Sequence, residues 1–195
     1  MFTLIPCAAG CGKTALFGSH LCAVHSADPA QEAARISNYI SGYQVAKDMN
    51  ATLLNFISAD FSGRAFYGCN FMHSTFSMCL FTGAIMRTCF FDFAKFSGCD
   101  FSGGDLQFSS FAGAKIRDCT FEGSELIHLN YSGAVVSDCT FNNSNLYNSR
   151  FIGAKLENCR FVDCNLKKTF FIDSMQTGVS FKASNTAEAV FEQEF

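Results

Sequence analysis

Three cysteines and one histidine near the N-terminus have the residue types and spacing of a metal site. Cys7, Cys11, Cys22 and His25 form two close pairs, C-x3-C and C-x2-H, with ten residues between the pairs. Zinc prefers four thiolate or imidazole ligands in a tetrahedral arrangement, and two such pairs joined by a short loop can supply them. The spacing therefore predicts one structural Zn²⁺ ion, fully ligated and without an open position for catalysis.

The surrounding residues 1–27 predict a knuckle that metal organises. Gly10, Gly12 and Gly18 permit tight turns, and few apolar residues are present to form a core without metal. His20 is an alternative ligand, but it breaks the paired spacing. The competing interpretation is a tail with four reduced, unliganded side chains.

The second ligand pair lies in the segment Leu21-Cys22-Ala23-Val24-His25. This segment resembles the Leu-Cys-x-x-His pair of the short Cys-Cys-Cys-His zinc motifs that are appended to various bacterial and phage proteins. The resemblance implies the same metal and the same four ligands.

The remaining histidines do not predict catalysis. His20 and His25 belong to the knuckle, and His73 and His128 fall at distant outward positions. No carboxylate pair, nucleophile–base set or glycine-rich cradle stands out in the sequence. We therefore expect no catalytic residues and no enzyme activity.

Beyond residue 50 the sequence has a strict period of five. A large apolar residue occupies 24 consecutive fifth positions, and 15 of them are Phe. The positions are Phe56, Phe61, Phe66, Phe71, Phe76, Phe81, Met86, Phe91, Phe96, Phe101, Leu106, Phe111, Ile116, Phe121, Leu126, Tyr131, Val136, Phe141, Leu146, Phe151, Leu156, Phe161, Leu166 and Phe171. Neither an amphipathic helix nor an ordinary strand has this period, so it indicates a repeat architecture.

The unit reads small, polar, large apolar, then two variable residues, as in Ala59-Asp60-Phe61 and Cys99-Asp100-Phe101. This pattern resembles the pentapeptide-repeat family over roughly residues 54–175. The resemblance implies an all-β solenoid, a right-handed quadrilateral β-helix in which four pentapeptides form one square coil. Residues 51–181 would form about six coils.

A second period of 20 residues supports a four-sided coil independently. Every position from 61 to 181 at this spacing is Phe, and the opposite column from 71 to 191 is Phe except for Tyr131. The predicted core therefore contains two aromatic columns. The residues predicted to form the structural core are Phe61, Phe71, Phe81, Phe101, Phe121, Phe141 and Phe161.

A further set of cysteines follows the same 20-residue spacing, at Cys79, Cys99, Cys119, Cys139 and Cys159. A stacked column of this kind could suggest a disulfide or metal ladder. Free cysteine is a small hydrophobe that favours burial, and here it alternates with Ala and Ser. We expect packing alone. Without a recognisable secretory signal, a reducing cytoplasm is the expected location.

Residues 28–50 predict a capping α-helix between the knuckle and the repeats. Asp28 suits the N-cap, Pro29 the first turn, and Gln31 completes a capping-box spacing. Its apolar stripe comprises Ala33, Ile36, Ile40, Tyr43, and Val45 or Met49. The open end of a solenoid must be covered, so knuckle and helix are expected to form its N-terminal cap. Residues 182–195 would form a C-terminal cap or a dimerisation segment.

The expected function is that of a non-enzymatic scaffold, a rigid rod that binds a protein partner. Outward apolar residues at corresponding corners of successive coils support this prediction, namely Tyr67, Phe108, Ile127, His128 and Tyr147. A second group is Leu80, Ile85, Phe90 and Phe93. Contiguous exposed aromatics indicate a partner site. The alternative is that another part of the chain or a second subunit covers them.

A more specific alternative also follows from the resemblance. Some pentapeptide-repeat proteins imitate duplex DNA, bind DNA gyrase or topoisomerase, and protect it from quinolones or toxins; they dimerise through their C-termini. Residues 50–195 carry 14 acidic and 11 basic residues, so the negative field along the rod would be weak. We expect no direct binding of nucleic acid, since only Lys13 is basic before residue 35, and no membrane binding.

Overall fold

The computed structural model describes residues 5–192, in which a single α-helix precedes a parallel β-solenoid of about seven turns. Helix α1 spans Pro29–Gly42. Asp28 caps its N-terminus, because its Oδ1 accepts hydrogen bonds from the backbone N–H groups of Ala30 and Gln31, both at 3.0 Å. Along the described residues, no helix has the combined length and hydrophobicity needed to cross a bilayer.

Helix α1 ends before the predicted boundary at residue 50. The N–H of Tyr43 bonds to the carbonyls of Tyr39 and Ile40, and Tyr43 itself is extended. Val45 and Met49, predicted for the helical stripe, instead belong to the first turn of the solenoid. The physical reason is that the next coil offers parallel hydrogen bonds to this segment, which a longer helix would leave unpaired.

Ten three-residue strands follow the helix. They are β1 (Val45–Lys47), β2 (Asn55–Ile57), β3 (Ala65–Tyr67), β4 (Thr75–Ser77), β5 (Ile85–Arg87), β6 (Lys95–Ser97), β7 (Lys115–Arg117), β8 (Val135–Ser137), β9 (Lys155–Glu157) and β10 (Met175–Thr177). They form two parallel sheets, β1-β3-β5 and β10-β9-β8-β7-β6-β4-β2. A 3₁₀ turn at Thr186–Glu188 lies in the last coil.

Each strand pairs with the strand 20 residues away, which confirms the four-sided coil. Phe76, for example, pairs with Phe96, and Phe96 with Ile116. The rod has about seven turns rather than six because pairing begins at Val45 and continues to Val190. Isolated parallel bridges with the same register continue the other sides of the coil.

The two aromatic columns form the core as predicted. Within a column most rings are parallel and offset-stacked, with centroids 4.6 Å apart between Phe101 and Phe121 and 4.8 Å apart between Phe121 and Phe141. Between columns the rings meet edge to face, as in Phe141 and Phe151 at 6.1 Å. Both arrangements suit the aromatic quadrupole. The strand spacing of about 4.8 Å and the ring stacking therefore reinforce each other.

The small position of each repeat also has a hydrogen-bonding role. Ser124 Oγ donates to the carbonyl of Phe101 at 2.8 Å, and Cys99 Sγ donates to the carbonyl of Phe76 at 3.5 Å. In each pair the donor lies 23 residues beyond the acceptor. Serine and cysteine thus connect neighbouring coils, and alanine fits the same space without the bond.

The two ends of the rod differ in how they are covered. At the N-terminal end, Leu16, Ala23, Ile36 and Ile40 pack into the same hydrophobic core as the first coils. At the C-terminal end, Gln176 is exposed, while Phe181 and Phe191 are only partly buried. Residues 1–4 of the predicted knuckle and residues 193–195 of the predicted C-terminal segment lie outside the described residues.

Candidate functional site

A compact backbone turn brings the first two cysteines of the knuckle together. The Cys7 N–H bonds to the Lys13 carbonyl and the Gly10 N–H to the Cys7 carbonyl, each at 2.9 Å. Gly10 and Gly12 adopt φ values of 69° and 74°, which side chains disfavour. This turn returns the chain so that Cys11 faces Cys22.

The second ligand pair lies in a single turn of backbone. The His25 N–H bonds to the Cys22 carbonyl at 3.0 Å, and this turn places the imidazole beside the Cys22 sulfur. His20, the alternative ligand, is exposed and lies outside the cluster of four.

The four ligand atoms lie within 4.8 Å of one another. The Sγ atoms of Cys11 and Cys22 are 3.7 Å apart, and His25 Nδ1 is 3.6 Å from Cys7 Sγ and 3.5 Å from Cys22 Sγ. Around a tetrahedral zinc ion, two sulfurs would be roughly 3.8 Å apart and a sulfur and a nitrogen roughly 3.5 Å apart. The residues therefore fit a single tetrahedral metal ion, with His25 binding through Nδ1.

At Cys7 the backbone favours the metal-binding form of the thiol, whereas the pKa of Cys11 is raised. A hydrogen bond from the Cys22 N–H to Cys7 Sγ, 3.4 Å long, lowers the pKa of Cys7 to about 6. The hydrogen bond to Cys7 raises the pKa of His25, so this imidazole must lose its proton when it binds metal. The thiolate is the form of cysteine that binds metal, so the backbone prepares Cys7 for this role.

Asn50, which the sequence did not single out, connects the knuckle to the rod. Its side-chain Nδ2 donates to the backbone carbonyls of Thr14 at 3.2 Å and Ala15 at 2.7 Å. The backbone carbonyl of Asn50 accepts a hydrogen bond from the Phe17 N–H at 2.8 Å. Its Oδ1 is buried without a partner among the described residues. Asparagine also occurs one solenoid period later, at Asn70, but nothing in the sequence indicates that Asn50 contacts the knuckle.

On one edge of the rod, three of the predicted binding residues form a stacked cluster. The rings of Phe108 and His128 are stacked with centroids 4.9 Å apart, and Tyr147 meets His128 edge to face at 5.9 Å. Asn148 Nδ2 lies 2.8 Å from His128 Nδ1, and Lys168 Nζ lies 5.7 Å from the Tyr147 ring centroid. We call these five residues the aromatic corner.

The solenoid period could have identified the last two members, because Asn148 and Lys168 follow His128 at steps of 20 residues. Ile127 is half-buried beside His128 on the same edge. Tyr67 lies apart from the corner. Arg87 and Gln107 occupy the intervening rungs, that is, the equivalent positions in the coils between those of Tyr67 and Ile127.

The second predicted group is dispersed. Phe90 and Phe93 share one side of a coil, and Phe93 stacks on His73 with centroids 5.2 Å apart. Leu80 and Ile85 instead occupy the two preceding sides of the coil. The prediction of one continuous group was therefore wrong for Leu80 and Ile85, because every fifth residue turns to a new side.

Comparisons with known proteins agree with this architecture. The family model described as "Pentapeptide repeat region" matches residues 114–191, and "Pentapeptide repeats (8 copies)" matches residues 66–103 and 89–127. No curated protein matches the chain.

Several solved structures are similar to this chain at low identity. A trypsin-treated variant of QnrB1, a plasmid-mediated fluoroquinolone resistance protein, is 22% identical, with a TM-score of 0.48, over 75% of this chain and 70% of that chain. HetL, from the cyanobacterium Nostoc, is 14% identical, with a TM-score of 0.39, over 80% and 95%. Rfr23, from the cyanobacterium Cyanothece, is 11% identical, with a TM-score of 0.35, over 81% and 99%. At these values the likenesses carry no inference about function.

Both family models describe the same five-residue unit, and together they extend from residue 66 to residue 191, more than half of the chain. The 20-residue register and the aromatic columns are those expected of such repeats. The chain therefore belongs to the pentapeptide-repeat family.

Proposed function

We propose that this protein is a non-enzymatic scaffold whose rigid rod binds a protein partner through the aromatic corner. The observation that carries the proposal is Phe108, which is 57% exposed and stacked on His128. Exposed aromatic residues that are held in one orientation lose little conformational entropy on binding, which is why they are frequent at protein interfaces.

The backbone at these aromatics has the same left-handed conformation as the equivalent position of other repeats. Phe108 and His128 have φ values of 62° and 57°, the left-handed region that disfavours bulky side chains by about 1–2 kcal/mol. Glycine occupies the same repeat position at Gly103 and Gly123. Other large side chains, such as Phe93, occupy this position as well, so the corner is distinguished by the clustering of its exposed rings and not by its backbone.

The test is quantitative affinity capture from cells of the source organism with zinc-loaded, tagged protein. Phe108→Ser with Tyr147→Ser should abolish recovery of the partner. The matched control is His73→Ser with Phe93→Ser, which removes the other stacked pair and should leave recovery unchanged. Equal recovery by the first variant and the wild type would contradict the proposal.

We also propose that Cys7, Cys11, Cys22 and His25 bind one structural Zn²⁺ ion per chain. The ligand distances and the donor set support this assignment. When bound, the ion would hold the knuckle against the end of the rod. Elemental analysis of protein purified without chelator should find stoichiometric zinc in the wild type and in the control variant Cys69→Ala, but not in Cys11→Ala. The absence of zinc from both the wild type and the control would contradict the assignment.

DNA mimicry toward gyrase or topoisomerase is the second candidate. A group of carboxylates supports it, since Asp105 and Glu125 occupy adjacent rungs. Arg87 pairs with Asp105 at 2.5 Å, and Asn145 donates to Glu125 at 2.8 Å, so part of this negative charge is compensated. A supercoiling assay tests this candidate. If the protein protects gyrase from a quinolone, and Asp100→Asn with Glu122→Gln loses that protection, DNA mimicry is favoured over partner binding through the aromatic corner.

Dimerisation through the C-terminus and a cytoplasmic location complete the proposal. The partly buried Phe181 and Phe191 would be covered by a second copy at the open end of the rod. The eleven cysteines are all free, which suits a reducing compartment. Light scattering on wild type and Phe191→Ser tests the dimer: a concentration-independent monomeric mass for the wild type would exclude it.

A further inference from the structure

The longer sheet has a flat outer face whose central rungs carry four exposed basic side chains. Lys95, Lys115 and Lys155 are the first residues of β6, β7 and β9, and Arg117 is the last residue of β7. We call these four residues the basic face. Lys95 and Lys115 are direct partners in the parallel register, so their backbones are about 4.8 Å apart.

Among the described residues these lysines form no ion pairs, as is also true of Arg150 and Arg160 on other sides of the rod, although the exposed Glu157 lies at the other end of strand β9 from Lys155. Within residues 5–192, neither Lys95, Lys115 nor Lys155 has a carboxylate at salt-bridge distance, whereas Lys167 Nζ lies 3.1 Å from Glu188. The Arg117 guanidinium pairs with its exposed neighbour Asp118, at 3.4 Å.

Folding does not require lysine at these rungs. Like charges placed directly opposite each other on a sheet are destabilising. The same row contains the neutral residues Thr75 and Val135, so the sheet accepts uncharged side chains there. An external anionic group would convert the repulsion between Lys95 and Lys115 into attraction.

The same face contains a shallow groove of about 360 Å³. Lys95 and Lys115 line one side, and Ser97, Arg117 and Ser137 line the other. The two serines are short, so the groove stays open between larger side chains, and the surface that lines it is mostly apolar. Its residues extend from Thr75 to Ser137, about 14 Å along the rod axis at the strand spacing.

We infer that the basic face is a second docking surface, which binds an acidic segment of a protein partner. A polypeptide fits better than nucleic acid for two reasons. Asp118 and Asp138, in the adjoining turns, would repel a uniform polyanion but can be avoided by separate carboxylates. Ile57 and Met78, 75% and 65% exposed at one end of the face, suit apolar side chains rather than phosphates.

The spacing of the cations also suits a peptide. In an extended peptide, alternate side chains point to the same side and lie about 7 Å apart. The strands that carry the cations are about 4.8 Å apart, but Lys and Arg side chains are long enough to reach carboxylates at the wider spacing. The inference does not depend on the aromatic corner, which lies on another edge of the rod.

The test uses a fluorescein-labelled peptide of alternating glutamate and leucine, with fluorescence anisotropy as the readout and the full-length protein as the receptor. Lys95→Gln with Lys115→Gln should weaken binding roughly five- to tenfold, as expected for losing two exposed ion pairs. The matched control, Arg150→Gln with Arg160→Gln, makes the same change in net charge on other sides and should bind like the wild type. Phe108→Ser with Tyr147→Ser should also leave peptide binding unchanged.

Three further measurements decide the outcome. A peptide with glutamine in place of glutamate should not bind, and affinity for the acidic peptide should fall between low salt and about 0.1 M salt. If the arginine control weakens peptide binding as much as the lysine variant does, the effect comes from net charge alone and the inference is overturned. Tighter binding of single-stranded or duplex DNA, lost in the same lysine variant, would assign the face to a polyanion and also overturn it.

Discussion

The knuckle and the rod both depend on cysteine, but they use it in opposite ways. In the knuckle, the sulfurs of Cys11 and Cys22 converge to 3.7 Å, and a backbone N–H lowers the pKa of Cys7 to about 6. In the rod, Cys159 is buried, donates to the Val136 carbonyl at 3.5 Å, and burial raises its pKa to about 11. The surroundings, more than the residue type, decide whether a cysteine is a ligand or a packing residue.

The two regions also differ in the source of their order. Every coil of the rod contacts the next through stacked rings and parallel hydrogen bonds, so its stability is a sum of similar interfaces. The knuckle instead depends on its four ligands, a few backbone hydrogen bonds, and its contacts with helix α1 and the first coil. The following predictions test this difference, in order of decreasing expected effect.

Removal of metal should unfold the knuckle and leave the rod folded. Structural zinc contributes roughly 10–16 kcal/mol to the folding of small metal domains. Hydrogen exchange after treatment with a chelator, or in Cys22→Ser, should therefore show rapid exchange in residues 5–27 with protection retained in the strands. Unchanged protection of residues 5–27 would mean that packing alone orders the knuckle.

Phe121→Ala should destabilise the rod by about 3–5 kcal/mol, because it leaves a cavity between Phe101 and Phe141. Chemical denaturation measures the change. Phe108→Ala, on the exposed corner, is the control and should cost no more than about 1 kcal/mol. Similar costs for the two variants would contradict the stacked-column description of the core.

Asn50→Ala should loosen the junction of the two regions. It leaves the carbonyls of Thr14 and Ala15 without their donor, at a cost of about 1–3 kcal/mol. Faster exchange of the Phe17 N–H is the expected readout. Asn70→Ala, on the next rung, is the control and should leave this exchange rate unaltered.

Alkaline pH should destabilise the rod through its thiols. An unfolded thiol ionises near pH ~8.5, whereas burial keeps the Cys159 thiol protonated up to about 11. The folded state therefore binds more protons, and stability falls as pH rises through this window, by about 2 kcal/mol at pH ~10 for such a thiol. Denaturation at several pH values should show a shallower decline in Cys159→Ser; an identical slope would refute the assignment.

Tyr131→Phe should stabilise the rod by about 1 kcal/mol. The Tyr131 hydroxyl is buried in a column that is otherwise Phe, and it has no hydrogen-bond partner among the described residues. Thermal unfolding measures the gain. Tyr147→Phe, at a half-buried position of the aromatic corner, should change stability by less. A loss of stability in Tyr131→Phe would indicate an ordered water at the hydroxyl.

The repeat and most of the core could be predicted from the order of the residues. A period of five with a superperiod of 20 has one simple solution, so the spacing of Phe101 and Phe121 is sufficient to place both rings in one column. The paired spacing of Cys7, Cys11, Cys22 and His25 likewise identified four residues that the fold brings together. Both inferences succeed because the geometry is local or repeats at a fixed interval.

Features that depend on contacts between distant parts of the chain could not be predicted in this way. The solenoid begins at Val45, inside the predicted helix, because a coil 20 residues later offers partners to that segment. Asn50 reaches carbonyls 35 and 36 residues away, a contact that no period encodes. The basic face is likewise a tertiary property, since the alignment of Lys95 with Lys115 depends on which side chains meet across neighbouring coils.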